Sequence, residues 1–542
     1  LWKCYNLTTV NASGFAGEGT IDNPYLISTK EDLVELDKNV SRYGIVFTDE
    51  YFLQTNDIDL NYSPDFSGIG ASATTATAFN GTYDGGGHAI HRMMIDGVAF
   101  GPDGMATASG SRPAAAFITY ADKRSVIKNL TIAPDCRIRG YSNVAGIVAA
   151  TRGRVENCRN HADITAVDCY AAGITAQITQ DASISGCYNS GTITAGTNNS
   201  AGIVCLSDGL VDMCQNDGEV RAVKLPESSL GDQAQHTAAG IACTVYDNSV
   251  VRSNINTGYV HSRRDVGGIF QSASKKSRIT GNMNYGTVFY THTDGTCGAI
   301  SATQTKLPGA SDNIYDRQIT RYGAACLQPA AYANGVTTAE FISGEPLAGP
   351  DEDAVDWKKG SYPVLKAFAE EPAAIANRQI IVNMHDTETA DIFKTSASLD
   401  PAAIWTVSGD NAFKITEGRL SFDRPEDFMK SAYATLTATV GDYSKPVFIR
   451  ALPLNFNGSG TESDPFLIHD TDDLILLSDI TNEEMFDFNG MYLRQTADID
   501  FAGKEDFLPV AARALPFNGV YDGGGKKITN LTIIQPDMDY AA

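Results

Sequence analysis

Short apolar stretches alternate with glycine and asparagine turns through most of the first 340 residues of this chain. The motif Ala/Gly-Ala/Gly-Ile recurs with spacings of 27, 29, 38, 28 and 31 residues, and its middle residues are Gly146, Gly173, Gly202, Gly240, Gly268 and Ala299. A second motif, Cys/Asn-x-Asn-x-Gly followed by alternating apolar residues, starts at Cys158, Cys187, Cys214, Asn254 and Asn282. The long interval in each series contains the loop-like insertion 225–232. Such a period without a helical pattern predicts stacked β coils.

The repeat predicts an all-β fold, a right-handed parallel β-helix in which each coil pairs with the next about 4.8 Å along the axis. Equivalent residues then stack into ladders, with inward Ile and Val filling the core. The asparagines of the second motif should form one ladder, comprising Asn160, Asn189, Asn216, Asn256 and Asn284. Asparagine side chains at turns can pair with those one coil above.

The cysteines fall on the same grid, and all ten lie between Cys4 and Cys326. Cys158, Cys187 and Cys214 are equivalent to one another, as are Cys205 and Cys243. A parallel in-register pair points both Cβ atoms the same way, which strains a disulfide. We therefore expect buried free thiols.

The chain also repeats on a larger scale. Residues 15–59 match residues 456–500 at a constant offset of 441, and residues 79–87 match 517–525. A second module thus begins near Phe456, and we expect the chain to be part of a longer array. The predicted domains are a preceding segment or linker at 1–14, a β-helix module at 15–370, a β-sandwich at 371–455 and a truncated second module at 456–542.

Cap-like sequence flanks the predicted solenoid, as needed to cover strand edges that would otherwise aggregate. Thr29 to Asp32 reads as an N-cap box opening a short capping helix, with Leu33, Leu36 and Val40 on one face. Asp470 to Asp473 is its counterpart in the second module. Residues 338–344 and 357–365 are predicted to close the far end of the first module.

Between the modules, residues 434–440 alternate with period 2 and place Thr on one face, which predicts a strand. Further strands are predicted at 405–407, 413–415 and 447–449. Their spacing is typical of an Ig-like β-sandwich, and the absence of cysteine after Cys326 rules out the disulfide-pinned antibody type.

These motifs carry a family resemblance. The Phe-x-Gly-x-Gly-Thr opening at Phe15, the Asp-Ile-Asp element at Asp57, the Phe-Asn-Gly-x-Tyr-Asp-Gly-Gly-Gly turn at Phe79 and the Ala-Gly-Ile coils resemble bacterial surface proteins with GLUG-type β-helix repeats. Residues 371–455 resemble atypical bacterial Ig-like domains. The resemblance implies an extracellular location, at the cell surface or secreted, for proteins that are mostly adhesin-like; some carry a peptidase elsewhere in the chain.

Net charge narrows the possible partners. The chain has 65 Asp and Glu against 41 Lys and Arg, a net charge of -24, which opposes binding to nucleic acid. The sequence contains no apolar run long enough to span a membrane. We expect further domains of the same polypeptide, and a surface protein or glycan of a host or neighbouring cell, as partners.

No catalytic motif of the HExxH, GxSxG or GxxxxGK[ST] type occurs, so no catalytic or cofactor-binding residue is predicted. Asp57 and Asp59, repeated as Asp498 and Asp500, are candidate calcium ligands. The alternative is a strand with Ile58 inward and both carboxylates outward. Asp84 and Asp522 are predicted to cap the glycine turn that follows them.

Two further groups of side chains are candidate sites. His88 and His91 form the closest histidine pair, but the second module has Lys526 in place of His88, which favours a solvated turn over a metal site. A basic cluster on the predicted loops of neighbouring coils is a candidate site for an anionic glycan or a solvated face: Arg263, Arg264, Lys275, Lys276 and Arg278.

We expect a non-catalytic surface or secreted protein that acts as an adhesin, a binding module or a rigid display stalk. One alternative is the non-catalytic part of a larger secreted peptidase. Another alternative is a β-helix enzyme that acts on polysaccharides. Asp residues at matching places in adjacent coils would favour this enzyme. The ladders contain Asn, Gly and Cys instead.

Overall fold

The structure is a computed structural model. It describes residues 14–533 apart from 71–77, 109–110, 112–113, 229–234, 291–294, 303–305, 318–329, 337, 342, 360–361, 370–377, 383–403, 418, 424–427, 429–431, 441–442, 483–485, 487, 489, 505–506 and 512–516. Nearly all regular structure is β, with a few short helices.

The predicted parallel solenoid is confirmed. A complete coil contains five short strands, and each strand pairs in parallel with its equivalents in the coils before and after, so the coils build five sheets that we call faces 1 to 5. Faces 1 and 2 have ten strands each, faces 3 and 4 have seven, and face 5 has six.

The strand bounds of each face follow. Face 1 comprises Tyr25–Ile27, Tyr51–Gln54, Thr82–Asp84, Val126–Lys128, Arg154–Glu156, Ser183–Ser185, Leu210–Asp212, Val250–Arg252, Arg278–Thr280 and Ala310–Ser311. Face 2 comprises Ile58–Asp59, Ala89–His91, Thr131–Ile132, Arg159–Asn160, Tyr188–Asn189, Gln215–Asn216, Ile255–Asn256, Met283–Asn284, Asn313–Asp316 and Ala333–Val336. Face 3 comprises Met94–Asp96, Arg137–Gly140, Asp163–Ala166, Ile193–Ala195, Val220–Ala222, Val260–Ser262 and Val288–Tyr290. Face 4 comprises Ala114–Ala115, Asn143–Ala145, Ala171–Ala172, Asn199–Ala201, Thr237–Ala239, Asp265–Gly267 and Cys297–Gly298. Face 5 comprises Ile118–Ala121, Val148–Thr151, Thr175–Ile178, Val204–Ser207, Ala242–Val245 and Phe270–Ala273.

An asparagine ladder runs through the interior, as predicted. Each Nδ2 atom donates to the Oδ1 atom of the next coil at 2.8 to 2.9 Å, from Asn160 through Asn189, Asn216 and Asn256 to Asn284. The last amide donates to the Ala299 carbonyl. All five asparagines are fully buried. The chain of bonds satisfies their amide groups, which would otherwise be costly inside the core, except at the first rung, where Asn160 Oδ1 has no hydrogen-bond partner among the described residues.

The glycines of the Ala-Gly-Ile motif make room for this ladder. A Cβ atom at Gly202 would lie 2.2 Å from Asn216 Cγ and 2.2 Å from the Gly240 carbonyl oxygen. The same conflict recurs in the other coils that carry Gly at this position. In the coil that contains Ala299 the ladder position is Tyr315, and the restriction to glycine ends.

A second ladder, which we call the corner ladder, lies where the chain passes from face 1 into the start of face 2. It comprises Cys158, Cys187, Cys214, Asn254, Asn282 and Asn313, all fully buried. The predicted stacking of cysteines is confirmed here, and also on face 5, where the register places Cys205 beside Cys243. All eight described cysteines are free thiols, and every one except the half-buried Cys169 is buried. Cys4 and Cys326 lie outside the described residues.

The predicted capping helix is confirmed as Lys30–Asp37, followed by a π-helical turn at Lys38–Arg42. Thr29 accepts from the Asp32 backbone N–H, and Asp32 accepts from the Thr29 backbone N–H, which completes the capping box. Leu33, Leu36 and Val40 are buried against the first coils. The counterpart in the second module is the helix Thr471–Asn482.

The segment expected to close the far end lies along the side of the solenoid instead. We call the described residues of 338–368 the strap. It contains the helix Thr338–Phe341, the antiparallel pair Val355–Asp356 and Val364–Leu365, and a 3₁₀ turn at Lys366–Phe368. Its apolar residues pack on the outer side of face 2, on Tyr188, Ile255, Met283, Tyr285 and Ile314. These large outward side chains explain the position, because the strap buries them.

Two smaller β units follow. Strands Arg378–Val382, Tyr443–Pro453, Ala432–Val440 and Ile404–Gly409 form one sheet, and Phe413–Thr416 pairs with Arg419–Phe422, so the strands predicted in this segment are confirmed. In the second module, Phe466–Ile468, Tyr492–Gln495 and Val520–Asp522 form a parallel sheet, and Ile499–Asp500 pairs with Ile528–Thr529. A hairpin, Ala99–Phe100 with Ala106–Thr107, projects between faces 3 and 4.

Candidate functional site

The candidate calcium carboxylates have protein partners. Asp57 accepts from the Ala89 backbone N–H at 2.9 Å, and Asp59 accepts from Arg92 Nε at 2.8 Å. The hydrogen bond from Arg92 is the main cause that lowers the pKa of Asp59. Ile58 is buried while both carboxylates face outward, which agrees with the strand interpretation.

The second module repeats this arrangement with different donors. Asp498 accepts from the Lys527 backbone N–H at 2.9 Å, and Asp500 accepts from Asn530 Nδ2 at 2.7 Å. In the described part of the chain, no three His, Cys, Asp or Glu side chains are grouped to hold a metal ion. These contacts give the four carboxylates a structural role, and calcium binding stays a prediction.

The glycine turn after Asp84 and its counterpart after Asp522 in the second module are capped as predicted. Asp84 accepts from the Gly86 backbone N–H at 3.0 Å, and Asp522 accepts from that of Gly524 at 2.9 Å. The two nearby histidines pair with different carboxylates, because His88 Nδ1 lies 3.3 Å from Asp57 and His91 Nδ1 lies 3.3 Å from Asp135. The two histidine rings therefore do not point toward a shared site.

The structure separates the basic cluster into two groups. Arg263 and Arg264 lie at the corner between faces 3 and 4, whereas Lys275, Lys276 and Arg278 lie at or just after the corner between faces 5 and 1. Two whole strands stand between the groups. Lys276 Nζ also pairs with Asp247 at 3.0 Å. The cluster is thus not one patch. Its two groups are near each other in the sequence, but they lie at corners on different sides of the coil.

Face 3 carries a cluster that the sequence motifs did not single out. The cluster lies on two neighbouring strands of this face, where Arg221 is directly opposite His261 in the register. Glu219 and Tyr259 are the residues immediately before these two strands. His261 Nε2 lies 2.8 Å from Glu219 Oε1, and Arg221 Nη1 lies 3.7 Å from the same oxygen. The Tyr259 and His261 rings stack with centroids 4.6 Å apart and planes at 16°.

These groups are held in place by further contacts. Arg221 Nε donates to Thr194 Oγ1 at 2.9 Å, one coil earlier on the same face. Burial acts to raise the pKa of Glu219, but the hydrogen bond from His261 and the charges of His261 and Arg221 outweigh it and lower that pKa. The carboxylate therefore stays ionised near neutral pH, and it remains a fixed hydrogen-bond acceptor on the surface.

The insertion at 225–232 borders this face. Its described part turns back toward earlier coils, where Glu227 pairs with Arg139 at 2.9 Å and the Glu227 carbonyl accepts from the Ala106 backbone N–H. Arg139 also lies over the Phe100 ring, 5.3 Å from its centroid. The insertion and the hairpin thus join along the border between faces 3 and 4. Insertions in repeat proteins commonly mark the binding side.

No family model matches the chain. Halomucin from Haloquadratum walsbyi is 27% identical over 173 residues, which are 31% of this chain and only 2% of halomucin. The crystal structure of a candidate immunoglobulin A1 protease from Bacteroides ovatus shares 14% identity and covers 65% of this chain and 94% of its own, with a TM-score of 0.37. Among the described residues, no helix is both long and apolar enough to cross a membrane.

Proposed function

We propose that this chain is a non-catalytic portion of an extracellular protein, at the cell surface or secreted, that serves as an adhesin, a binding module or a rigid display stalk. The observation that carries the proposal is the pair of side-chain ladders. They link successive coils through buried hydrogen bonds and make the solenoid a stiff support for its outward residues. The presence of a second module supports the proposal that several such solenoids follow one another in an extended array.

Two resemblances belong to this proposal. The GLUG-type repeats and the Ig-like identity of residues 371–455 rest on the sequence motifs, and the antiparallel strands of that segment are compatible with a sandwich. The sequence similarity to halomucin, over the 173 residues that it covers, supports the proposed surface location. Partners would be a protein or glycan on a neighbouring or host cell, and further domains of the same polypeptide.

The location can be tested with antibodies raised against the full chain. Intact cells of the source organism should be labelled, or the protein should be found in the culture medium. Labelling that needs permeabilised cells, with no protein in the medium, would contradict the proposal. The proposal that the chain is not a catalyst has its own test. The purified chain should release no reducing ends from a panel of polysaccharides.

A further inference from the structure

Nine Asn-x-Ser/Thr sequences occur in the chain, and the structure separates them by exposure. Such a sequence is an acceptor for an N-linked glycan when it lies on the surface of an extracellular protein. The asparagine amide receives the glycan, and the hydroxyl two residues later is part of the recognised sequence. A usable site therefore exposes both side chains. Asn6 and Asn11 lie outside the described residues, which leaves seven of the nine sites for comparison.

Six of these seven sites do not expose a free amide together with an exposed hydroxyl residue. In five of them the asparagine amide is buried or already donates to a neighbouring side chain: Asn39, Asn80, Asn129, Asn198 and Asn530. At the sixth site Asn61 is exposed, but Ser63 is buried and its hydroxyl donates to Asp65 at 3.2 Å. A glycan at these places would have to displace native contacts.

The remaining site lies in the opening loop of the second module, residues 457–464. Asn457 and Ser459 are both exposed, and the Asn457 side chain has no hydrogen-bond partner among the described residues. The Ser459 hydroxyl donates to the Asp464 carbonyl at 3.2 Å and stays open to solvent. The backbone is fixed, because the Asn457 carbonyl accepts from the Leu467 N–H at 2.8 Å in an antiparallel bridge. The loop thus holds a free amide in solvent on a rigid base.

We infer that Asn457 is the acceptor of an N-linked glycan. The donor is an oligosaccharide carried on a polyprenyl diphosphate, and an oligosaccharyltransferase of the source organism catalyses the transfer. A bond forms between Asn457 Nδ2 and the anomeric carbon of the first sugar, while the bond from that carbon to the diphosphate oxygen breaks. Nδ2 loses one proton, and polyprenyl diphosphate is the leaving group.

The position of Asn457 gives the glycan a role at the end of the second module. Its partner Leu467 belongs to Phe466–Ile468, the edge strand of the parallel sheet in that module. An exposed edge strand can pair with another chain, and a bulky, solvated glycan beside it keeps other chains away. The glycan therefore protects this edge from aggregation.

The first module supplies a matched loop without the acceptor sequence. Ala16 and Glu18 stand where the second module has Asn457 and Ser459, and both are exposed. Ala16 forms the same antiparallel bridge, with Leu26. The two loops thus share a backbone arrangement and differ in the amide and the hydroxyl that the transfer requires.

The inference rests on the proposed extracellular location, because this transfer takes place outside the cytoplasm. The full-length protein is purified from the source organism, digested and analysed by tandem mass spectrometry. The peptide that contains Asn457 should carry at least one sugar residue on that asparagine. Peptides that contain Asn39 or Asn129 should carry none, since one amide is buried and the other donates to Asp84.

Variants produced in the same organism separate the acceptor sequence from the loop around it. Asn457→Gln and Ser459→Ala should each abolish the added mass, whereas Ser459→Thr, which keeps the hydroxyl, should retain it. All three positions are on the surface, so the variants should unfold at the wild-type temperature. In the matched loop, Ala16→Asn combined with Glu18→Ser should create a second glycosylated peptide.

The inference is overturned if the peptide with Asn457 is found only unmodified or only deamidated, or if the sugar persists in Asn457→Gln. Antibody labelling of intact cells together with an unmodified Asn457 would leave the extracellular proposal standing. Protein found only inside the cells and without sugar would contradict both proposals.

Discussion

The corner ladder has a cysteine half, Cys158 to Cys214, and an asparagine half, Asn254 to Asn313. Both halves contact the same kinds of backbone group. Cys214 Sγ lies 3.3 Å from the carbonyl oxygen two residues before it and 3.8 Å from that of Ile184 in the previous coil. Asn282 Nδ2 donates to the carbonyls of Thr280, at 3.3 Å, and Val251, at 3.0 Å, which occupy the equivalent places.

The two halves differ in bond strength. In the asparagine half, Oδ1 of Asn282 also accepts from the Asn254 backbone N–H at 3.1 Å and from its Nδ2 at 2.9 Å. A thiol is a weak donor and a weak acceptor. The position therefore requires a small buried side chain that can both donate and accept, and amides meet this requirement with stronger bonds than thiols. The predictions below test the inner asparagine ladder first and then the two halves of the corner ladder, from the largest expected effect to the smallest.

Gly202→Ala should be the most damaging change, because it enlarges the glycine that faces the inner asparagine ladder. The added Cβ would meet both Asn216 and the Gly240 carbonyl, so neighbouring coils must shift. We expect a loss of about 3 to 5 kcal/mol in the free energy of unfolding, measured by urea titration followed by circular dichroism. Ala299→Gly, at the equivalent position in the coil where Tyr315 takes the place of the ladder asparagine, should cost less than about 1 kcal/mol. Equal losses for the two would break the link between the glycines and the ladder.

Removing one side chain from each half of the corner ladder should destabilise the protein by different amounts. Asn282→Ala leaves several buried groups without a partner and should cost about 3 kcal/mol. Cys187→Ala removes weaker bonds and a smaller group, and should cost about 1.5 kcal/mol. The same urea titration measures both. If Cys187→Ala proves the more costly substitution, the ranking of amide above thiol is wrong.

The two halves of the corner ladder meet at Cys214 and Asn254. Exchanging cysteine and asparagine at these two positions tests the comparison further. Asn254→Cys removes the oxygen that accepts from the Cys214 backbone N–H at 2.8 Å, so it should cost about 2 kcal/mol. Cys214→Asn extends the amide half by one coil, keeps about the same volume and should change stability by less than about 1 kcal/mol. Thermal unfolding of the two variants side by side checks the asymmetry, which a symmetrical loss would refute.

Alkaline pH should affect only the cysteine half. Burial raises the pKa of Cys214 well above its ordinary value, so the folded protein keeps a proton that the unfolded chain releases. The stability that this adds is complete below the unfolded pKa and is lost as the pH rises toward the folded one. Between pH 8 and pH 10, wild-type protein should lose about 1 kcal/mol more than Cys214→Asn. Parallel pH profiles for the two proteins would argue against a buried thiol at 214.

Features that recur in the sequence could be predicted. The asparagine ladder, the stacked cysteines and the capping helix follow from repeated residue types at fixed spacing, because stacking converts a sequence period into spatial contact. The second ladder continues beyond Cys214 as Asn254 and Asn282, which occupy the same place in the motif. The sequence motif does not predict the extension to Asn313, because the motif is no longer complete in that coil.

Features that depend on single coils could not be predicted. The strap contacts residues far away in the chain, such as Arg159, whose Nη2 donates to the Ala367 carbonyl at 3.2 Å. The cluster on face 3 joins Glu219 to His261 across the long repeat interval, and neither residue recurs in other coils. One signal was present: residues that alternate with Val220 and Val260 after the Asn-x-Gly turn must point outward. The repeat period does not show which side of the coil each corner faces, so the sequence alone does not separate the basic cluster into its two groups.

Thiol labelling of the native protein tests most directly whether the repeats stack into one solenoid. The chain is treated with iodoacetamide, and mass spectrometry reports labelling at each cysteine before and after unfolding in urea. Cys158, Cys187, Cys205, Cys214 and Cys243 should stay unlabelled until the solenoid unfolds, whereas the half-buried Cys169 serves as an internal comparison and should react first among the described cysteines. Labelling of Cys187 in the folded protein as fast as that of Cys169 would contradict the stacked interior.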